Sequence, residues 1–245
     1  TEPSWQFSSG VKHPSAPDPD KLWGQKYGYT NEDRDKLGTR MTWNINNILT
    51  FRTGYGHETL TREAIQFKNS VAGSNGTYTE NMTVWAPWKY TVNAGYAYLD
   101  AKFQTGTVAH KVTMGYYGRR MDLKEYQDRS QGVALSGNFT FADPVYVAEP
   151  SYSVGVKNLA NSSMTRNKNF FIGDTIDFNK QWTVLAGLNN AQIVTKGYNR
   201  DTGALTSSYS KNKVVPSVSL IYRPDTLLST YFTYAEGLEK GGTAG

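Results

Sequence analysis

Cysteine is absent from the 245 residues, which excludes a disulfide framework and a thiolate metal site. No stretch approaches the 18 consecutive apolar residues of a transmembrane helix. Barrels escape that test, because their apolar residues stand at every second position. Charge is sparse: Asp, Glu, Lys and Arg make up 19% of the chain, against roughly 25% in an average globular domain. The net charge of +5 comes without a basic run interleaved with aromatics, so nucleic acid is not an expected partner. His13, His57 and His110 are far apart and lack metal-ligand spacing. No nucleophile elbow, no supported carboxylate pair and no glycine-rich loop opening a helix occur, so no enzyme is expected.

What is present is aromatic and alternating. Phe, Trp and Tyr make up 13% of the residues, with 17 Tyr and 23 Gly. Four hairpin-like units repeat: strand, very short turn, strand. The first runs from Asp33 to Ile45, turns at Asn46-Asn47, and returns from Ile48 to Glu63 with Leu49, Phe51 and Tyr55 on one face. Asn46-Asn47 is expected to turn because Asn tolerates positive φ. The second spans Trp88 to Phe103 and Val108 to Tyr126, around a turn at 104–107. Its alternation slips near Tyr98-Leu99, where a bulge is expected. The third spans Thr165 to Phe178 and Gln181 to Tyr198. The fourth spans Asn212 to Tyr222 and Thr226 to Leu238.

Between these units stand polar segments, 1–32, 67–84, 127–163 and 199–210, read as long loops. Strands of this length, joined alternately by short turns and long loops, predict an all-β fold: an antiparallel transmembrane β-barrel segment of about eight long strands. The short turns are then periplasmic and the long loops extracellular. Two residues resist this reading. Pro216 falls inside a strand, where only the start of regular pairing or a bulge accommodates it. Asp174 shares the parity of Ile172 and Ile176 and is expected near a rim or at a register shift.

The fourth unit also carries a resemblance. Pro216-Ser217-Val218-Ser219-Leu220-Ile221-Tyr222-Arg223-Pro224, then Tyr234-Ala235-Glu236-Gly237-Leu238 and Gly241-Gly242-Thr243-Ala244, closely resembles the TonB-dependent siderophore receptors. Phe170 to Phe178 with Trp182 to Leu188, and Phe103 to His110 with Gly115-Tyr116-Tyr117, resemble two further hairpins of that family. The resemblance implies that residues 1–245 are part of a 22-stranded plugged barrel in the outer membrane of a Gram-negative bacterium. The chain starts at Thr1 and stops in a glycine-rich run, so a fragment is expected, with the plug and C-terminal strands outside it. The implied partners are a ferric siderophore, outer-membrane lipid, and the TonB complex through the missing N-terminal region. No cofactor is implied, because iron enters already chelated by its siderophore.

A siderophore mouth would need aromatic faces for the ligand framework and cations for its negative charge. Trp85, Trp88, Tyr90, Tyr117, Arg119 and Arg120 lie at upper strand ends or nearby and are the candidate ligand-binding residues. The same aromatics could instead form the interfacial girdle that such barrels carry. Inward parity favours Tyr117 and Arg119. Two other classes remain open: a soluble all-β carbohydrate-binding module, for which strand lengths near half these are usual, and a passive porin.

Overall fold

The structure, a computed structural model, describes residues 2–126, 130–154 and 158–241. Gly242 to Ala244 of the resembling C-terminal run, and 127–129 and 155–157 of the expected loop, lie outside the described residues. Ten strands form one sheet: β1 (Ser4–Phe7), β2 (Tyr29–Asn44), β3 (Leu49–Val71), β4 (Thr79–Thr105), β5 (Val108–Tyr126), β6 (Gln131–Ala134), β7 (Leu159–Asp177), β8 (Trp182–Tyr198), β9 (Leu205–Tyr222) and β10 (Thr230–Ala235). The main path β2-β3-β4-β5-β7-β8-β9-β10 is antiparallel throughout. These are the eight strands expected, though the last is shorter than Thr226 to Leu238. β1 and β6 take over the edges of β3 and β4 above the ends of β2 and β5.

The turns at the lower end are closed by their own side chains. Asn46 Oδ1 accepts from the N–H groups of Ile48 and Leu49, both at 2.8 Å. Asn179 does the same for Gln181 and Trp182, and Asp225 for Leu227 and Leu228. These are Asx turns. No non-glycine residue among those described has positive φ, so the asparagines act as acceptors and not through left-handed backbone. The exception is the β4–β5 turn, two residues long, where Gly106 at φ 62 supplies the positive φ of a type II′ turn.

Period-2 alternation splits the sheet into two faces. One carries Trp43, Phe51, Leu99, Met114, Ile172 and Leu220, which the register places in continuous cross-strand rows. It leaves large apolar side chains open, with Trp43 at 58% and Phe170 at 55% exposure. The other carries the polar rows. Pro216 is accommodated as expected: its carbonyl accepts from Glu236 N–H just beyond the last regular β9–β10 pair, Ser217 with Ala235. Its missing N–H therefore faces the end of that pairing. Asp174 does lie on the apolar face, three residues from the end of β7, where His110 Nδ1 partners it at 2.7 Å.

Two expectations fail. No bulge occurs at Tyr98-Leu99; the β4–β5 register is continuous from Trp88 to Thr105, and Tyr98 simply belongs to the polar face. The bulge lies higher, where Arg62 pairs with Trp88 but Ala64 pairs with Trp85, so β4 carries one extra residue at Ala86-Pro87. Proline, lacking an N–H, suits a bulge.

The second failure concerns the loops. Segment 67–84 is mostly strand, with only 72–78 connecting β3 to β4, and 199–210 contracts to 199–204. The upper β3–β4 hairpin buries Ile65, Phe67, Met82 and Val84 beneath Tyr27, Tyr29, Val133 and Val154. A second cluster joins Trp23, Val71, Tyr78 and Phe139 with Trp5 and Phe7. Asn69 and Glu80 interrupt the apolar alternation, and they face each other in the ladder at 0% and 1% exposure. That buried polar pair is why the segment reads as loop. Gln25 clamps it, donating to Glu80 Oε2 at 3.1 Å and to the Val145 carbonyl at 3.0 Å while accepting from Val147 N–H at 2.9 Å. Burial pushes the Glu80 carboxyl up to about 7, against the Gln25 hydrogen bond, which lowers it.

Candidate functional site

Glycines on the polar face make room for tyrosines. Gly54 pairs with Tyr96, and a Cβ on Gly54 would stand 2.6 Å from the Tyr96 ring. Gly115 pairs with Tyr98, whose Cδ1 would lie 2.5 Å from a Cβ there. Each tyrosine therefore lies flat across the neighbouring strand. Tyr96 and Tyr98 stack at 4.8 Å, Phe171 meets Tyr98 edge-on at 5.5 Å, and Tyr117 meets Phe171 at 6.1 Å.

Above this aromatic floor opens a cavity of about 540 Å³, whose lining includes Arg40, Tyr96, Tyr117, Arg119, Asn167 and Asn169. Asn189 donates to Asn169 Oδ1 at 3.2 Å and to the Tyr117 hydroxyl at 3.4 Å, fixing one side. Beneath it the Arg52 guanidinium lies 5.2 Å from the Tyr98 ring centroid and bonds Asp100, which also accepts from Thr113 at 2.7 Å. That network satisfies Asp100, which is 6% exposed, and braces the floor from below.

The six candidates fall into three places. Tyr117 and Arg119 line the cavity. Trp85, Trp88 and Tyr90 form a second group, six residues higher on β4 and so roughly 20 Å away along the strand. There Trp88 and Tyr90 meet edge-on at 4.8 Å, the Arg62 guanidinium stands 5.6 Å over Trp88, and Trp85 and Trp88 line one hollow with Gln66. The bulge makes this possible. Positions 85 and 88 have opposite parity, and the extra residue between them puts both indoles on one face.

Arg120 does not join either group. It pairs across to Asn93 and Arg166 on the apolar face, and Asp122 holds its guanidinium with two 2.8 Å bonds. Adjacent residues of a strand point to opposite faces, so Arg119 and Arg120 could not share a site without a bulge. The sequence reading missed Tyr96, Tyr98, Arg40, Asn167 and Asn169. The signal for the tyrosines was their pairing with Gly54 and Gly115, which becomes visible only once the register is known. Among the described residues no group of three His, Asp or Glu side chains stands together to hold a metal ion.

Comparison with known proteins places this sheet. No curated protein matches the sequence. The ferric preacinetobactin receptor BauA of Acinetobacter baumannii is similar in structure, with a TM-score of 0.78 at 20% identity over 99% of this chain and 36% of that one. The ferric-catecholate import receptor Fiu of E. coli K12, in its closed form, gives 0.65 at 16% identity over 91% of this chain and 35% of its own. The ferric citrate transporter FecA gives 0.61 at 18% identity, over 84% and 27%. The chain thus spans about a third of the length of these solved structures. The family model described as "TonB dependent receptor-like, beta-barrel" matches residues 2–242, nearly the whole chain, and the protein belongs to that family of β-barrel receptors.

Proposed function

We propose that these residues form part of the wall of an outer-membrane receptor that binds a ferric siderophore at the cell surface and imports it with energy relayed by TonB. The single observation that carries this reading is the polar-face cavity, where Tyr96, Tyr98 and Tyr117 stand with Arg40 and Arg119. At about 540 Å³ it lies within the ~300–1,000 Å³ usual for small-molecule sites. Its chemistry suits an anionic ligand with flat chelating groups: the rings offer faces, and the two guanidiniums offer charge. The relatives support it, since BauA and Fiu are named for ferric preacinetobactin and ferric catecholate.

Orientation follows from polarity. The apolar face meets outer-membrane lipid and the polar face meets the lumen. The soluble carbohydrate-binding alternative does not fit, because strands of up to 27 residues and an open apolar band have no use in water. Iron passes as chelated substrate, so the wall residues bind and orient it without covalent chemistry. Trp85, Trp88 and Tyr90 serve as an upper subsite of first contact, above the cavity.

The test uses the complete receptor in detergent, titrated with ferric catecholate and ferric hydroxamate complexes while tryptophan fluorescence is followed. Tyr117→Ala with Arg119→Ala should weaken the bound complex by about tenfold or more, the loss of one cation and one ring face. Unchanged affinity in the folded double variant would sink the proposal.

A further inference from the structure

On the apolar face, two arginines stand directly opposite one another: Arg120 on β5 pairs with Arg166 on β7. Like charges at this position are destabilising unless something negative lies between them. Lys168, two residues along β7, adds a third cation to the same face, opposite Gly118. Asp122 neutralises only Arg120. Arg166 Nε is enclosed and has no hydrogen-bond partner, and neither Arg166 nor Lys168 has an ion-pair partner among the described residues. The cluster therefore carries an uncompensated charge of about two on a face that is otherwise apolar.

The cluster surrounds a built hollow. Gly95 and Gly118 leave a cavity of about 220 Å³, with Tyr55 and Tyr116 on its flanks. A Cβ on Gly118 would sit 3.0 Å from both the Asn167 carbonyl and the Tyr116 hydroxyl, so a side chain there would crowd the space.

Its height is informative. Arg120 lies eight residues beyond Val112, near the lower part of the apolar band on β5. That is roughly 26 Å along an antiparallel strand and about 20 Å along the axis of a barrel whose strands tilt ~40°. The hollow thus sits where a ~25 Å apolar band gives way to head groups. Tyr55 and Tyr116, at 54% and 43% exposure, mark that boundary as interfacial tyrosines do.

We propose that Arg120, Arg166 and Lys168 form a docking site for the phosphate of an anionic lipid in the outer leaflet, with its acyl chains lying down the apolar rows of Tyr116, Met114 and Phe170. A phosphate placed between the two guanidiniums accepts charge-assisted bonds from both and removes their mutual repulsion. The proposal rests on the barrel orientation given above and not on the siderophore reading.

The experiment uses the complete receptor in a non-ionic detergent, with bound lipid counted by native mass spectrometry. Three probes are compared: a phosphorylated glycolipid, the same glycolipid with its phosphates removed, and inorganic phosphate as competitor. The phosphorylated lipid should be retained about tenfold more strongly than its dephosphorylated form, as expected when charge-assisted contacts are lost. Millimolar inorganic phosphate should not displace it. Arg166→Gln with Lys168→Gln should abolish the preference while ferric-complex binding in the lumen persists. Equal retention of the two glycolipids by the unaltered receptor would overturn the proposal without any variant. So would displacement by inorganic phosphate, which would make this a free-anion site. Persistence of the preference in the folded double variant would overturn it as well.

Discussion

Replacing Glu80 with glutamine should remove a pH dependence from the extracellular pack while leaving the barrel wall intact. The Glu80 carboxyl is 1% exposed, faces Asn69 across the ladder, and is held by one hydrogen bond from Gln25 while its Oε1 has none. Burial raises its folded-state pKa from 4.5 to about 7. A group raised in this way contributes stability that is fully present below pH ~4.5 and lost as the pH climbs through about 7. At about 1.4 kcal/mol per pH unit of proton linkage, the loss approaches 3 kcal/mol in full and about 2 kcal/mol between pH 5.5 and 8. Tyr27 and Tyr78 nearby are pushed up to about 12 and stay protonated in that window.

The consequence is local. Gln25 joins the N-terminal segment to Val145 and Val147, so ionising Glu80 should free the 130–154 segment from the β3–β4 hairpin. Amide hydrogen exchange of the complete receptor, corrected for the intrinsic pH dependence of exchange, should show opening about thirtyfold more frequent at pH 8 than at pH 5.5 for amides of residues 65–84. Glu80→Gln, which titrates nowhere in this range, should give a flat profile. A flat profile in the unaltered protein, or an unchanged slope in Glu80→Gln, would refute the assignment of the titrating group.

Two glycines should separate ligand effects from fold effects. A Cβ on Gly115 meets the Ala97 carbonyl and stands 2.9 Å from Tyr98 Cα, all backbone, so Gly115→Ala should cost about 1–3 kcal/mol in thermal unfolding. Gly54→Ala instead meets the movable end of Tyr96, so it should leave the melting temperature nearly unchanged and lower ferric-complex affinity severalfold. The depth of the apolar face can be probed at Asp174 and Ile172, which share one parity on β7. Near the rim, Asp174→Ala should change stability by less than about 1 kcal/mol, whereas Ile172→Lys, deeper in the band, should cost about 2–4 kcal/mol in folding assays in lipid.

The short turns, the alternation and the two faces were legible in the sequence because each depends on neighbours two or three residues apart. Asn46, Asn179 and Asp225 close their turns with their own side chains, and Tyr117 and Arg119 face the lumen by parity alone. Pro216 could be placed in advance because its missing N–H allows few positions. Loops proved harder: the polar Asn69 and Glu80 disguised a buried strand pair, since each finds its place only against the other and against Gln25, far away in sequence. The extra residue at Ala86-Pro87 inverted the parity of everything above it on β4, bringing Trp85 beside Trp88. Which residues stand opposite was a tertiary matter as well: Tyr96 over Gly54, His110 beside Asp174, Arg120 against Arg166. Strand period is a property of the local backbone and can be read along the chain, but register is set by how whole strands pack, and one inserted residue is enough to change it.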